Sequence, residues 1–336
     1  MPEGPEVRRA ADRLHEALAG QTIRLFGART KKARAWLEEH PDAFVGKRVE
    51  RVWAHGKHLV GDVDGGGSFD GLFFHSHFLM WGRWLVVAPD APEVETRDRR
   101  ERARIVTDEA AALLYSAPKF TVGAGDPYAG IPALPRLGPD VLPYEGRFDA
   151  DAFLGRLDQE PGRAIGAALL DQTVAAGIGN YLRAEILYRC RIDPFRPVGD
   201  LEQEARACLV AEIPALSRRA YEDGGRTVPD ETQALMVAER DLRYSPFAKP
   251  WNTQHWVFRR TNLPCLRCDD YVRQKHQVTR EWKGDDGETV EKKRIIYFCP
   301  TCQGVSGPVP PARPHKDRRP DDSTWAEEPA PEEADA

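Results

Sequence analysis

The run Asp171-Gln172-Thr173-Val174-Ala175-Ala176-Gly177-Ile178-Gly179-Asn180-Tyr181-Leu182-Arg183-Ala184-Glu185-Ile186-Leu187 breaks at a Gly177-Ile178-Gly179 turn and resumes as a helix. Two glycines around one apolar residue end helical spacing, and Asn180 is a good residue to open the next helix. The spacing predicts a helix over 180–190. Its first backbone N–H groups and its dipole would make an anion site; Asn180 alone reads equally as a helix cap. Upstream, the same period predicts helices at 150–157 and 164–173. Downstream it predicts one at 201–221, interrupted or kinked at Pro214. These elements define a helical domain over 150–256, in which 222–256 is mixed and carries no assignment.

Toward the N-terminus the period changes. Val7, Ala10, Ala11, Leu14, Ala17 and Leu18 predict a helix over 5–19, with Pro5 in its first turn and Gly20 as a stop. Short β runs come next at Thr22–Phe26, Arg48–Trp53, Leu59–Val63, Leu72–His75, Trp84–Val87, Arg104–Val106 and Ala112–Tyr115. Turn signals such as Asp64-Gly65-Gly66-Gly67 separate them, and this spacing predicts an antiparallel sandwich or barrel over 1–117. The Pro/Gly-rich stretch 118–149 reads as a linker. The expected fold class is therefore multi-domain α+β: an N-terminal antiparallel β-sandwich with a leading helix, a helical domain, and a small C-terminal module.

That module, 257–303, holds Cys265-x2-Cys268 and, after thirty residues, Cys299-x2-Cys302. Two such pairs can aim four thiolates at one ion, which predicts a structural zinc site at Cys265, Cys268, Cys299 and Cys302. The gap is longer than a usual ribbon loop, and its middle, Lys283-Gly284-Asp285-Asp286-Gly287-Glu288, reads as a polar hairpin extension. Cys190 and Cys208 lie among Ile186, Leu187, Leu209 and Ile213 and read as buried core thiols. Residues 304–336, proline-rich and then acidic, read as a disordered tail.

Composition narrows the function. The 336 residues are 41% hydrophobic, enough for a core, and carry 48 basic against 53 acidic side chains, net −5. The tail accounts for −4 of that, so an anionic partner is not excluded. No apolar run approaches the roughly 20 residues that span a bilayer. The first residues lack a basic, then apolar, leader. Few cysteines, mostly in ligand-like pairs, suit a reducing compartment. The expectation is an intracellular, cytoplasmic protein with no membrane partner. No phosphate-cradling Gly-rich loop is present, so no nucleotide cofactor is expected.

Pro2 stands out chemically. Removal of Met1 would leave a secondary amine, and an α-amino group titrates near 8, low enough for part of it to be neutral and nucleophilic. The helix that begins beside it would lower that value further, and Glu3 could shuttle a proton. Read singly, Pro2 could also be a helix-entry proline and Lys57 a surface strand lysine. His75 and His77, without carboxylate or cysteine company, read as strand or loop residues and not as ligands.

Together, Met1-Pro2-Glu3-Gly4-Pro5-Glu6, Gly56-Lys57-His58-Leu59, the 171–187 run and the cysteine module resemble the formamidopyrimidine-DNA glycosylase and endonuclease VIII family of base-excision repair, in the same order over about 1–303. The resemblance implies a bifunctional DNA glycosylase and abasic-site lyase. Pro2 would be the nucleophile that forms a Schiff base, and Glu3 the acid. Lys57 would be the lysine at the lesion phosphate, and Arg294, five residues before Cys299, the zinc-finger arginine that promotes the second elimination. Asn180 would be the phosphate-gripping asparagine of a helix–two-turn–helix and Arg136 a DNA-contacting arginine; among the other DNA-site residues Glu6 would be a second, positioning carboxylate, and Arg183, with Glu185, would support the site. Leu79, Met80 and Trp81 would fill the space left by an extruded base. Gly4, Gly166 and the 179–187 run look closer to the endonuclease VIII branch, which favours oxidised pyrimidines. Met80 is as in the other branch, and Leu79 replaces a frequent glutamine. The implied partner is damaged double-stranded DNA, bound by a monomer, with β,δ-elimination as the outcome. The alternative is a non-catalytic protein that binds damaged or nicked DNA.

Overall fold

The computed structural model describes residues 2–66, 69–96, 98–243, 253–268, 270–284 and 287–313. Helix α1 (Gly4–Leu18) turns Val7, Ala11, Leu14 and Leu18 to one side, and all four are buried. They close over two antiparallel four-stranded sheets. Strands β1 (Leu25–Ala28) and β2 (Val49–His55) flank helix α2 (Lys31–Glu39). After them come β3 (His58–Val63), β4 (Leu72–His77) and β5 (Arg83–Val87), then the single turn α3 (Pro92–Glu95). Strands β6 (Glu101–Val106), β7 (Ala111–Tyr115) and β8 (Lys119–Ala124) complete the layers, in the orders β1-β6-β7-β5 and β2-β3-β4-β8. Phe74, Phe120, Leu59, Ile105 and Leu114 meet in the shared core.

After the single turn α4 (Pro127–Gly130) come α5 (Ala150–Leu157), α6 (Ile165–Ala168), α7 (Asn180–Arg189), α8 (Gln203–Glu222) and α9 (Asp230–Ala238). The Asp149 carboxylate caps α5 by accepting from Ala152 N–H at 2.9 Å. The C-terminal module is a hairpin of β9 (Arg273–Lys283) and β10 (Thr289–Phe298), packed through Ile296 and Phe298 into the helical core.

Several expectations need correction. The stretch read as linker opens with a strand: β8 pairs with β4 and buries Phe120 and Val122, while Gly123 in it and Gly130 in α4 accommodate the Phe73 ring. The helix expected over 164–173 is one turn only. Asp171 accepts from both the N–H and the hydroxyl of Thr173, at 3.0 and 2.8 Å, and this local turn competes with the helix. Helix α8 is continuous through Pro214 and not interrupted there. Cys190 and Cys208 are not core thiols but a disulfide, formed where α7 ends against α8 with Cα atoms 5.6 Å apart. The tail is not disordered from its start. The Pro310 carbonyl accepts from Arg273 at 2.9 Å, and Arg313 N–H donates to Asn262 at 3.0 Å. The rest of the tail, 314–336, lies outside the described residues.

Candidate active site and nucleic-acid interface

Three segments remote in sequence touch through glycine backbones. Gly4 N–H donates to the Gly177 carbonyl at 2.9 Å. A Cβ on Gly4 would stand 2.9 Å from the Gly177 Cα, and one on Gly56 would stand 2.8 Å from Ala176 Cβ. Gly56 and Gly177 also have φ of 55° and 115°, a region that disfavours other residues. This crossing brings the start of α1, the β2–β3 turn and the start of α7 to one point.

Glu3 occupies the junction. One carboxylate oxygen accepts from Tyr181 N–H at 2.8 Å, and the other from Gly179 at 2.7 Å and Leu182 at 3.2 Å. A buried carboxylate from α1 thus caps α7, and any side chain on Gly179 would collide with it. Burial pushes the Glu3 carboxyl up to about 7, while the Lys57 ammonium and the backbone donors pull it down. Glu6 accepts from Glu3 N–H at 2.8 Å and from the Tyr181 hydroxyl at 3.1 Å. The Lys57 ammonium donates to the Ile178 carbonyl at 2.7 Å, and burial lowers its pKa against the attraction of Glu3 and Glu6. Arg294, exposed on β10, is near enough for its charge to act in the same direction as burial. Pro2 is half-buried on a cavity of about 330 Å³ shared with Phe78, Arg83 and Trp84.

The remaining site residues separate into surface and interior. Leu79, Met80 and Trp81 form an exposed apolar tip between β4 and β5, with Trp81 72% accessible and Leu79 at a φ of 51°. Arg136 is exposed and lines a cavity of about 850 Å³, away from Pro2, bounded by the helical domain, β9 and His58. Asn180 opens α7 and accepts from Arg183 at 2.6 Å. Arg183 is a correction: it is fully buried and spent on Asn180, Gly166, Gln277 and Ile295, so it braces α7 against the hairpin and cannot touch DNA. Glu6, half-buried on the Pro2 cavity, is held by Glu3 N–H, the Tyr181 hydroxyl and Arg9, an arrangement that suits a positioning carboxylate and not a DNA contact. Glu185 anchors the chain beyond the helices by accepting from Trp256, Val257 and Phe258 N–H and from Thr227.

Residues that sequence reasoning passed over also build the site. Asp140 accepts from Gly56 N–H at 3.1 Å and Gln172 donates to the Ile178 carbonyl at 2.9 Å, fixing the turns on either side of Lys57. Gln172 lies inside the 171–187 run and Asp140 lies close to Arg136, which was the available signal. His58 and His75 are hydrogen-bonded ring to ring at 2.9 Å, with His77 edge-on to His58. Burial lowers them to about 2 (His58) and about 4 (His75 and His77), so they add no charge at neutral pH.

The four predicted ligands do converge. The sulfurs of Cys265, Cys268, Cys299 and Cys302 lie within 4.8 Å of one another, and three pairs stand 3.5, 3.6 and 3.7 Å apart. Tetrahedral zinc at about 2.3 Å from each sulfur requires about 3.8 Å between them, so the set fits the ion. A closed four-sulfur site holds the knuckles together and offers no open position for chemistry. Among the described residues it is the only such cluster, and no described helix is long and apolar enough to cross a membrane.

Comparisons with known proteins agree with this geometry. Residues 1–121 match the formamidopyrimidine-DNA glycosylase N-terminal domain, and 137–232 match that family's H2TH domain. A probable endonuclease 8 2 of Streptomyces coelicolor is 32% identical, over 93% of this chain and 98% of the relative. Endonuclease 8 of Klebsiella pneumoniae is 30% identical, over 90% and 100%. Among solved structures, Lactococcus lactis Fpg in complex with abasic-site DNA superposes with a TM-score of 0.65 at 23% identity, over 90% of this chain and 99% of that one.

Proposed function

The chain belongs to the formamidopyrimidine-DNA glycosylase and endonuclease VIII family, DNA glycosylases with abasic-site lyase activity in base-excision repair, and from that premise we propose that Pro2, freed of Met1, is its nucleophile. The Pro2 nitrogen bonds to the sugar C1′ as the glycosidic bond breaks, and the departing base takes a proton delivered through Glu3. The sugar ring opens to an iminium ion. Loss of a C2′ proton then expels the 3′ phosphate, a second elimination expels the 5′ phosphate, and water releases the sugar fragment. Dividing one hard displacement in this way lowers each barrier. Lys57 holds the lesion phosphate and Arg294 the phosphate of the second elimination. Asn180, at the start of α7, and exposed Arg136 grip the backbone. Met80 and Trp81 occupy the stack from which the base is extruded.

The observation that carries this reading is the convergence of the buried Glu3 carboxyl and the Lys57 amine beside Pro2 at the α7 N-terminus. Oxidised pyrimidines are the substrates we assign. The relatives named endonuclease 8 support this, as does Gly166, whose Cβ would stand 2.6 Å from Gln277, leaving no room there for a base-reading side chain. The test is borohydride trapping on duplexes with an abasic site, thymine glycol or 8-oxoguanine. We expect an adduct that maps to Pro2, strongest with the first two. No adduct from protein whose first residue is verified as Pro2 would instead favour a binding protein for damaged DNA.

A further inference from the structure

The β9–β10 hairpin is longer than its zinc site requires, and its two faces differ. Directly opposed residues share a face, and the register places Arg294 opposite Gln277, Lys292 opposite Arg280 and Val290 opposite Trp282. Along regular β10, residues 290, 292 and 294 point the same way. The bulge at Lys292/Lys293, where Thr279 is skipped, brings the β9 partners onto that side. One face therefore reads, from the active site outward, Arg294, then Lys292 beside Arg280, then Val290 beside Trp282. All five are exposed, Trp282 at 45%. The opposite face mixes charges: Glu281 opposes Glu291, Lys283 opposes Thr289, and Lys293 is paired with Glu291 at 2.7 Å. Arg280 also lines the large cavity with Arg136 and the acids Glu160, Asp171 and Glu281, of which the first two are paired with Arg163.

We infer that the face bearing Arg294, Lys292, Arg280 and Trp282 is a second DNA-contact surface, which tracks the backbone away from the lesion. The assignment rests on the glycosylase reading above, since Arg294 marks where DNA enters. It draws on continuity with that entry point and on a cationic, acid-free face meeting a polyanion. The ladder from Arg294–Gln277 to Val290–Trp282 advances four residues along β10, about 13 Å of strand and about four stacked nucleotides. Lys292 and Arg280 reach phosphates, and Trp282 lies flat against the sugar and base edge beyond them. The segment between the strands holds Asp285, Asp286 and Glu288, so contact ends at Trp282 and does not extend to the turn.

The experiment is equilibrium binding of full-length, zinc-loaded protein to an abasic-site duplex and to an undamaged one, across a salt series. For Arg280→Ala/Lys292→Ala we expect about tenfold weaker binding of both near 0.1 M salt, and a log–log salt slope smaller by about two. Trp282→Ala should weaken binding about fivefold or more. It should also abolish the loss of affinity that wild type shows when the duplex is shortened on one side of the lesion. The control Lys283→Ala/Lys293→Ala removes equal charge from the other face and should change affinity less than about twofold. Equal weakening by both double variants, or an unchanged salt slope, would overturn the inference. Borohydride trapping on the same preparations separates the two questions: wild type that binds but never traps loses the catalytic reading, while the binding comparison still judges the hairpin.

Discussion

Glu3 is the residue with most at stake. Its carboxyl is raised to about 7, so near neutrality it can both hold and release a proton. For a group raised on folding, stability is greatest at acid pH and is lost as pH rises from the ordinary carboxyl value through 7. We expect the denaturation midpoint of wild type to fall between pH 5 and 8, and that of Glu3→Gln to be flatter. We also expect base release in single turnover to decline above about pH 7. Glu3→Gln should lower base release by roughly 10²–10⁴ and remove that limb. Since both Glu3 oxygens accept backbone N–H groups, an amide there faces donors, and the pH profile is the discriminating readout. Arg183 shows the limit of reading residues singly. An arginine four positions after Gly179 has the same chemistry on a surface or in a core, and only packing turned it into a brace.

At the scale of elements, the glycine crossing joins two domains. Gly179→Ala would place a methyl group 2.3 Å from the Glu3 carboxyl carbon, so Glu3 or α7 must move. Overpacking of this kind costs about 1–3 kcal/mol. We expect denaturant unfolding to register that loss and trapping yield to fall with it; wild-type stability and yield would show that the contact is dispensable. The strands from β2 to β7 were legible to within a few residues because each alternates or runs apolar between turn signals. Strand β8 was not, because Pro118, Gly123 and Gly125 punctuate it like a linker, and only its partner β4 makes it a strand. The Asp171 turn shortened α6 for a similarly local reason that periodicity does not register.

At the scale of the molecule, the zinc module and the helical domain share one core, through Cys265, Cys299, Ile296 and Phe298. Stripping the metal with a chelator should release the hairpin that carries Arg294 and weaken abasic-site binding by at least tenfold, with recovery on adding zinc. Binding that survives metal removal would refute a clamp role. Sequence alone exposed the order of modules and the two cysteine pairs, because these depend on local spacing, and it nominated Pro2, Glu3, Lys57 and Asn180 only through motifs shared with the family, since singly each has an ordinary structural reading. The tertiary structure alone decided that Glu3 caps a helix from another domain, that Arg183 is internal, that Glu6 is bonded to Glu3 and Tyr181 beside Pro2, that Cys190 and Cys208 are joined, and that the strand residues on one hairpin face carry no acid. Each of these depends on which remote backbone stands within a few ångströms, and burial there sets both the charge state and the reach of a side chain.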